Sequence, residues 1–74
     1  MIQEFDRVVL TSSLRANLPL GMRGTVVMVH ENGKGYEVEF VKNGQTVAVE
    51  TVLPTQIRKI VPRAKKLQQV LISR

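Results

Sequence analysis

Few side chains in this sequence are of the types that enzymes use in catalysis. The residues available to act with them limit the chemistry that they can perform. His30 is the one histidine, a residue type that enzymes often use as a general acid or base. The chain has no second His and no Cys with which to complete a metal site or a thiol pair. Ser12 and Ser13 have no base nearby and are typical of a turn. These residues therefore predict no metal site and no nucleophile.

Two carboxylates, Glu37 and Glu39, alternate with apolar residues. Alternation places both on the exposed face of one strand, about 6.5–7 Å apart. That separation overlaps the range for paired carboxylates in glycoside hydrolysis. Charge on an exposed strand face is, however, also what keeps a small sheet soluble, and we favour that role. We therefore predict that the protein is not an enzyme and uses no cofactor.

Length and composition exclude several other classes. The chain has 74 residues, so one domain is expected, of a size that buries only about 60% of the surface of its unfolded chain. Without cysteine it is neither a disulfide scaffold nor an iron–sulfur protein. The longest aliphatic run is Val26–Val29, too short for a membrane helix, and the N-terminal residues form no secretory signal. A cytoplasmic protein without membrane association is expected.

Hydrophobic alternation and turn residues divide most of the chain into five short strands. Tyr36–Phe40 alternates between apolar and acidic residues, as a strand with one buried face does. Asn43-Gly44 is a strong hairpin signal, because a type I′ turn needs positive φ at both central positions. Pro54–Gln56 indicates a 3₁₀ turn. The predicted strands are Arg7–Leu10, Gly24–Glu31, Tyr36–Phe40, Thr46–Val52 and Ile57–Val61.

This pattern predicts an all-β fold, a small five-stranded SH3-like barrel over residues 1–61, with a short C-terminal α-helix. Closure suits so short a chain because a barrel has no unpaired edges. Gly21 is expected to adopt a positive φ, and Gly24 to permit a close backbone approach or a bulge. The expected core is Val8, Leu10, Val27, Val29, Val38, Phe40, Val47, Val49, Leu53 and Ile57.

Residues 62–74 are predicted to form the helix, as a basic amphipathic tail. Pro62 suits a first helical position, and good helix formers follow it. Ala64, Leu67 and Leu71 share one helical face, with Val70 beside it. About three helical turns are marginal in isolation, so the helix docks on the barrel, docks on a partner or frays.

Three segments carry a resemblance to known proteins: Phe5–Leu10, Gly21–Val27 and Gly35–Phe40. The G-x-x-G-x-V step at Gly21 resembles SH3-like barrels, including the KOW modules of ribosomal proteins and transcription elongation factors. Over about residues 4–60, the three segments together resemble a family of short bacterial proteins of unknown function, common in cyanobacteria. The resemblance implies an SH3-like fold and no particular activity. It also implies a second small protein, encoded nearby, as a partner.

Binding of a protein partner or of a second copy is the first of two functions that remain. The long loop from Thr11 to Gly21 and the Asn32–Gly35 turn are expected to flank the binding surface, joined by the tail helix. Three aromatic residues are too few to line a polyproline groove, which favours a flat surface, a barrel edge or the helix. The candidate contacts are Arg15, Leu18, Leu20, Arg23 and Tyr36 on the barrel, and Arg63, Leu67, Val70 and Leu71 on the tail.

Nucleic-acid binding is the alternative, and the distribution of charge bears on it. The net charge is +5, but residues 1–57 carry five basic and six acidic side chains, whereas residues 58–74 carry six basic side chains and no acidic one. A phosphate-binding face needs clustered Lys and Arg. The candidates for this alternative are therefore Arg58, Lys59, Arg63, Lys65 and Lys66.

Overall fold

The computed structural model describes residues 1–61 and contains five strands joined in one antiparallel sheet. The predicted all-β class with five strands is confirmed. The helix predicted for residues 62–74 lies outside the described residues. In chain order the strands are β1 (Arg7–Leu10), β2 (Arg23–His30), β3 (Gly35–Lys42), β4 (Gln45–Val52) and β5 (Ile57–Lys59), with a 3₁₀ turn at Pro54–Gln56 before β5.

Both predicted local turns are present. Asn43 and Gly44 connect β3 to β4 with φ values of 53° and 77°, the positive values that a type I′ turn requires. At the 3₁₀ turn, the backbone N–H of Leu53 donates to the side chain of Gln56 at 2.7 Å. The carbonyl of Gln56 accepts from the N–H of Thr11 at 2.8 Å, which ties this turn to the end of β1. Leu53, predicted as a core residue, instead begins the turn and is exposed.

The sheet is open. Its strand order is β4-β3-β2-β1-β5, and within residues 1–61 no pairing joins β4 to β5. The closed barrel expected from the sequence is therefore not observed. The long loop between β1 and β2 covers part of the core instead. Its Leu18 is fully buried in the core, and its Arg15 contacts Glu50 on β4.

The core lies on one face of the sheet and consists of side chains from all five strands and the long loop. Five predicted core residues are buried as expected: Val8, Leu10, Val38, Phe40 and Ile57. Four buried residues were not predicted: Leu18, Val26, Tyr36 and Val52. Of the other five predicted core residues, two are half-buried, Val27 and Val29, and three are exposed, Val47, Val49 and Leu53.

A β-bulge in β2 explains the error at Val27. Val26 pairs with Val38, and the next paired residue is Met28, so Val27 has no partner on β3. One inserted residue reverses the face on which all later side chains lie. Val26 therefore faces the core before the bulge, and Val29 packs against the core after it.

A second bulge, at Val47, explains the errors in β4. Val47 has no partner on β3. Beyond it, Ala48, Glu50 and Val52 lie opposite core residues of β3 and so share the inner face of the sheet. Val49 therefore faces outward and is exposed. We call the core-facing side of the sheet the inner face and the opposite side the outer face.

Gly24 allows the close approach of β2 and β3 that the sequence predicts. A Cβ atom at this position would lie 2.6 Å from Cγ1 of Val38 and 2.8 Å from the carbonyl oxygen of Glu39, closer than side-chain atoms pack. Gly21, at the end of the long loop, has the predicted positive φ, at 89°. The two glycines thus have structural roles at the start of β2.

Candidate interaction surfaces

The long loop between β1 and β2 is held by its own hydrogen bonds. The N–H of Leu14 donates to the carbonyl of Leu18, and the N–H of Leu18 donates to that of Arg15, both at 2.9 Å. The Ser13 hydroxyl accepts from the N–H of Leu20 at 2.9 Å. With Leu18 in the core as an anchor, the loop has a defined shape and presents Leu20, which is 65% exposed, to solvent.

An ion pair joins this loop to the sheet. The guanidinium of Arg15 donates a hydrogen bond to Oε2 of Glu50, on the inner face of β4. The hydrogen bond from Arg15 lowers the pKa of the Glu50 carboxyl below its ordinary value, and the same bond raises the pKa of Arg15. Glu50 therefore stays charged at neutral pH while its side chain is engaged within the chain itself.

A shallow cleft of about 480 Å³ lies between the long loop and the end of the β3–β4 hairpin. Leu20, Val41 and Val47 are exposed large apolar residues at this cleft. These exposed aliphatic side chains make the cleft a candidate surface for a protein contact. We call this surface the loop cleft; it is lined by Ala16, Asn17, Pro19, Leu20, Gly21, Met22, Val41, Lys42 and Val47.

β4 forms a long edge of the sheet. It has eight residues and pairs with β3 on one side. Within residues 1–61 no strand pairs with its other side, and no loop backbone hydrogen-bonds to it. Its one charged residue is Glu50, which Arg15 engages. β5, at the opposite end of the sheet, has three residues, two of them basic.

Of the protein contacts that the sequence predicts within residues 1–61, the structure buries some and exposes others. Leu18 and Tyr36 are buried in the core and do not line a surface. The loop that carries Leu18 folds back over the core, and Tyr36 shares the inner face of β3 with Val38 and Phe40. Arg15 is occupied by Glu50. Leu20 lines the loop cleft, and Arg23 lies exposed on the outer face of β2.

The predicted tail contacts Arg63, Leu67, Val70 and Leu71 lie outside the described residues, as do Lys65 and Lys66 of the nucleic-acid alternative. Of the other candidates for that alternative, Arg58 is exposed on β5. The ammonium of Lys59 lies 3.3 Å from Oδ2 of Asp6. The same Asp6 oxygen accepts from the backbone N–H of Gln3 at 2.8 Å, and this bond first, with Lys59 second, lowers the pKa of Asp6.

Three arginines come together on the outer face, which the sequence alone does not reveal. Arg23 on β2 and Arg58 on β5 both lie opposite Val9 of β1, one on each side of it. Arg7 lies two residues before Val9 on the same face of β1. All three are exposed. We call Arg7, Arg23 and Arg58 the arginine face; the strand register that unites them is the signal missing from the sequence.

Phe5 is an exposed aromatic residue in an unusual conformation. Its side chain is 72% exposed, and its φ of 70° lies in the left-handed region that bulky residues avoid. The N–H of Phe5 donates to the carbonyl of Val26 at 2.7 Å, and the N–H of Val26 donates to the carbonyl of Asp6 at 2.9 Å. These bonds fix the backbone at Phe5 two residues before the arginine face begins.

The residues with catalytic side-chain types are dispersed. Nε2 of His30 lies 3.6 Å from Oε1 of Glu37, with both side chains partly exposed. Glu39, on the outer face, accepts a hydrogen bond from the hydroxyl of Thr46. Within residues 1–61 no group of His, Asp and Glu side chains is arranged to hold a metal ion. No helix in this part of the chain is long and apolar enough to cross a membrane.

Comparisons with known proteins identify a family. No curated protein and no solved structure matches the chain. A family model described as a domain of unknown function, DUF4926, matches residues 4–59, well over half of the chain. This match agrees with the resemblance to a family of unknown function over about residues 4–60. The chain therefore belongs to the DUF4926 family.

Proposed function

We propose that the protein is a non-catalytic interaction module of SH3-like fold that binds a protein partner, or a second copy of itself, by adding a strand to β4. The observation that carries this proposal is the β4 edge. Along its outer side, within residues 1–61, backbone N–H and C=O groups meet no other strand. Such a row is a template for an incoming extended segment.

The side chains of β4 favour pairing with another strand over protection of the edge from such pairing. Edge strands that avoid association are short, carry charge or Pro, or are twisted away by a β-bulge. β4 has eight residues, with exposed Val47 and Val49, and its one charge is engaged by the long loop. The bulge at Val47 limits regular pairing to the part from Ala48 to Val52. Five residues are about the length of an ordinary strand in a globular protein.

The loop cleft supplies specificity beside the edge. Val47 belongs both to β4 and to the cleft, so the two surfaces are continuous. In strand addition, backbone hydrogen bonds give affinity while alternate side chains of the incoming segment occupy pockets. The cleft is lined mostly by aliphatic residues such as Leu20 and Val41, so we expect an extended partner segment with aliphatic side chains. The C-terminal tail remains a predicted second contact.

The SH3-like fold within the proposal is supported by the order of elements. Five strands, a long first loop and a 3₁₀ turn before the last strand follow the pattern that the sequence predicts for such a barrel. The strand order β4-β3-β2-β1-β5 places the first strand between the second and the fifth. A cytoplasmic location and a bacterial source are parts of the same proposal.

The decisive experiment places a charge on the edge. Val49→Lys adds a cation to an exposed outer-face residue of β4. Met28→Lys is the matched control, since Met28 has nearly the same exposure, 47% against 51%, on an interior strand of the same sheet. Light scattering after gel filtration measures self-association. Affinity purification from the source cells, with nuclease treatment and mass spectrometry, measures partner binding.

We expect the native chain to form a dimer or to recover a defined partner, Val49→Lys to lose that complex, and Met28→Lys to retain it. A complex that survives Val49→Lys at native strength would refute binding at β4. Deleting residues 63–74 tests the tail: the complex should be lost while circular dichroism still shows a folded sheet. If the deletion leaves association intact, the tail is not a contact.

A further inference from the structure

The arginine face has a defined geometry on the sheet. Because Arg23 and Arg58 flank Val9 on neighbouring strands, their Cα atoms are about 10 Å apart, two strand spacings. Arg7 is about 7 Å from Val9 along β1. The three form a triangle from which long side chains extend into solvent. A triangle of this size suits several anionic groups in series better than a single one.

The charges of the arginine face are not neutralised within the described part of the chain. In residues 1–61 the basic side chains that contact carboxylates are Arg15, His30 and Lys59, and none of these contacts involves Arg7, Arg23 or Arg58. The nearest acidic residue in line with Arg7 across the strands is Glu39. Thr25 on β2 lies between them, because it pairs with Arg7 on β1 and with Glu39 on β3. The outer face is therefore basic over β5, β1 and β2 and acidic over β3. Concentrated positive charge of this kind attracts a polyanion.

Phe5 adds an exposed aromatic ring two residues before Arg7 in the chain. A bulky residue in the left-handed region carries a steric cost relative to ordinary backbone. Hydrogen bonds of the neighbouring backbone to Val26 hold it there, with the side chain exposed. Of the three aromatic residues, Tyr36 and Phe40 are in the core, so Phe5 is the one at the surface. Strain retained at an exposed aromatic residue suggests a function.

We infer that the arginine face and Phe5 bind single-stranded nucleic acid without sequence preference. The guanidinium groups of Arg7, Arg23 and Arg58 contact successive phosphates, and the ring of Phe5 stacks on an unpaired base. Basic grooves combined with exposed aromatic rings are the means by which proteins bind single strands. Stacking requires an unpaired base, which favours a single strand over a duplex. This face is distinct from the β4 edge, so the inference goes beyond the proposed function.

The experiment is fluorescence anisotropy of the full chain with a labelled single-stranded 20-mer of mixed sequence and with the corresponding duplex. Arg23→Gln with Arg58→Gln removes two charges from the arginine face. Lys34→Gln with Lys42→Gln removes two charges elsewhere on the exposed surface and is the matched control. Phe5→Leu removes the ring, whereas Phe5→Trp keeps one. Circular dichroism and thermal unfolding confirm that each variant folds.

The native chain is expected to bind the single strand more tightly than the duplex. The arginine double variant should weaken binding by about tenfold or more and reduce the slope of log affinity against log salt by about 1.4, from about 0.7 for each phosphate contact. The lysine variant should stay within about twofold. Phe5→Leu should weaken binding by about fivefold or more, and Phe5→Trp should retain it.

Several results would overturn the inference. One is absence of binding at 50 mM salt, and another is native affinity in the arginine double variant, which would assign binding to other residues. Equal competition by polyglutamate would point to an acidic protein as the ligand. Val49→Lys separates this inference from the proposed function. Loss of the protein complex with retained oligonucleotide binding supports two distinct surfaces. Loss of both activities contradicts the independence of the two surfaces.

Discussion

Arg15 and Glu50 stand 35 positions apart in the sequence, and their ion pair joins the long loop to the inner face of β4. Next to this pair, Leu18 enters the core, so a charged contact and an apolar anchor hold the same loop. Rigid attachment matters because the loop also forms one wall of the loop cleft. In the proposed binding, a wall that is fixed beforehand would lower the entropic cost of association.

Leu18→Ala tests the apolar anchor. The side chain is fully buried, so truncation should lower the free energy of unfolding by about 2–5 kcal/mol. Leu20→Ala, two residues later at an exposed position, should change it by less than about 0.5 kcal/mol. Urea denaturation of both variants measures the difference. Equal effects would mean that the loop is not anchored through Leu18.

Gly24→Ala tests the close approach of β2 and β3. The added Cβ would meet Val38 and the backbone of Glu39 at less than 3 Å, so a loss of about 1–3 kcal/mol in stability is expected. Gly35→Ala is the control in the adjacent strand, because a Cβ there finds its nearest atom at 3.7 Å. Thermal unfolding should show a clear decrease for the first variant and little change for the second.

Acid should destabilise the fold through Asp6 and Glu50. Hydrogen bonds and nearby cations lower the pKa of both carboxyls in the folded state. Their contribution is therefore present above the unfolded-state pKa, about 4, and is lost as pH falls through the lower folded-state values. Thermal midpoints measured from pH 7 to pH 2.5 should fall across this range. The variant with Asp6→Asn and Glu50→Gln should show a flatter profile, and an unchanged slope would contradict this origin.

Phe5→Gly tests the strained backbone. Glycine occupies the left-handed region without the steric cost that a side chain carries. Phe5→Gly and Phe5→Ala both lack the ring. The difference between their stabilities therefore reports the cost of the positive φ at this position. The glycine variant should be more stable than the alanine variant by about 1 kcal/mol, measured by urea denaturation. If alanine is equally stable, the positive φ at Phe5 carries no cost.

Local sequence signals predicted the strands and turns because those features depend on neighbouring residues. Asn43-Gly44 determines a hairpin by its tolerance of positive φ, and Tyr36–Phe40 alternates without interruption. The two bulges have no such local signature. Val27 and Val47 are β-branched residues in apolar runs, and their lack of a partner is decided by the register with β3. For that reason the predicted face was wrong before the bulge in β2 and after the bulge in β4.

The candidate surfaces were harder to predict than the fold. Leu18 lies in a loop with no periodicity, so its burial depends on how the loop folds back over the core. Arg7, Arg23 and Arg58 are far apart in sequence and meet through two antiparallel pairings around Val9. The charge count of residues 1–57 combined Arg7 and Arg23 with six acidic residues, and Arg58 was counted with the basic tail, which concealed the arginine face.

The two ends of the sheet are unequal, and this limits how far an assembly can grow. If a second copy occupies β4, a two-fold contact consumes both β4 edges and leaves a ten-stranded sheet that ends in β5 on each side. Each of those ends has three residues and carries Arg58 and Lys59, so it is short and repels another like it. The sheet would terminate at two copies instead of extending into a fibre. If β4 associates as proposed, the inequality of the two ends would let the molecule keep an associating strand without polymerising.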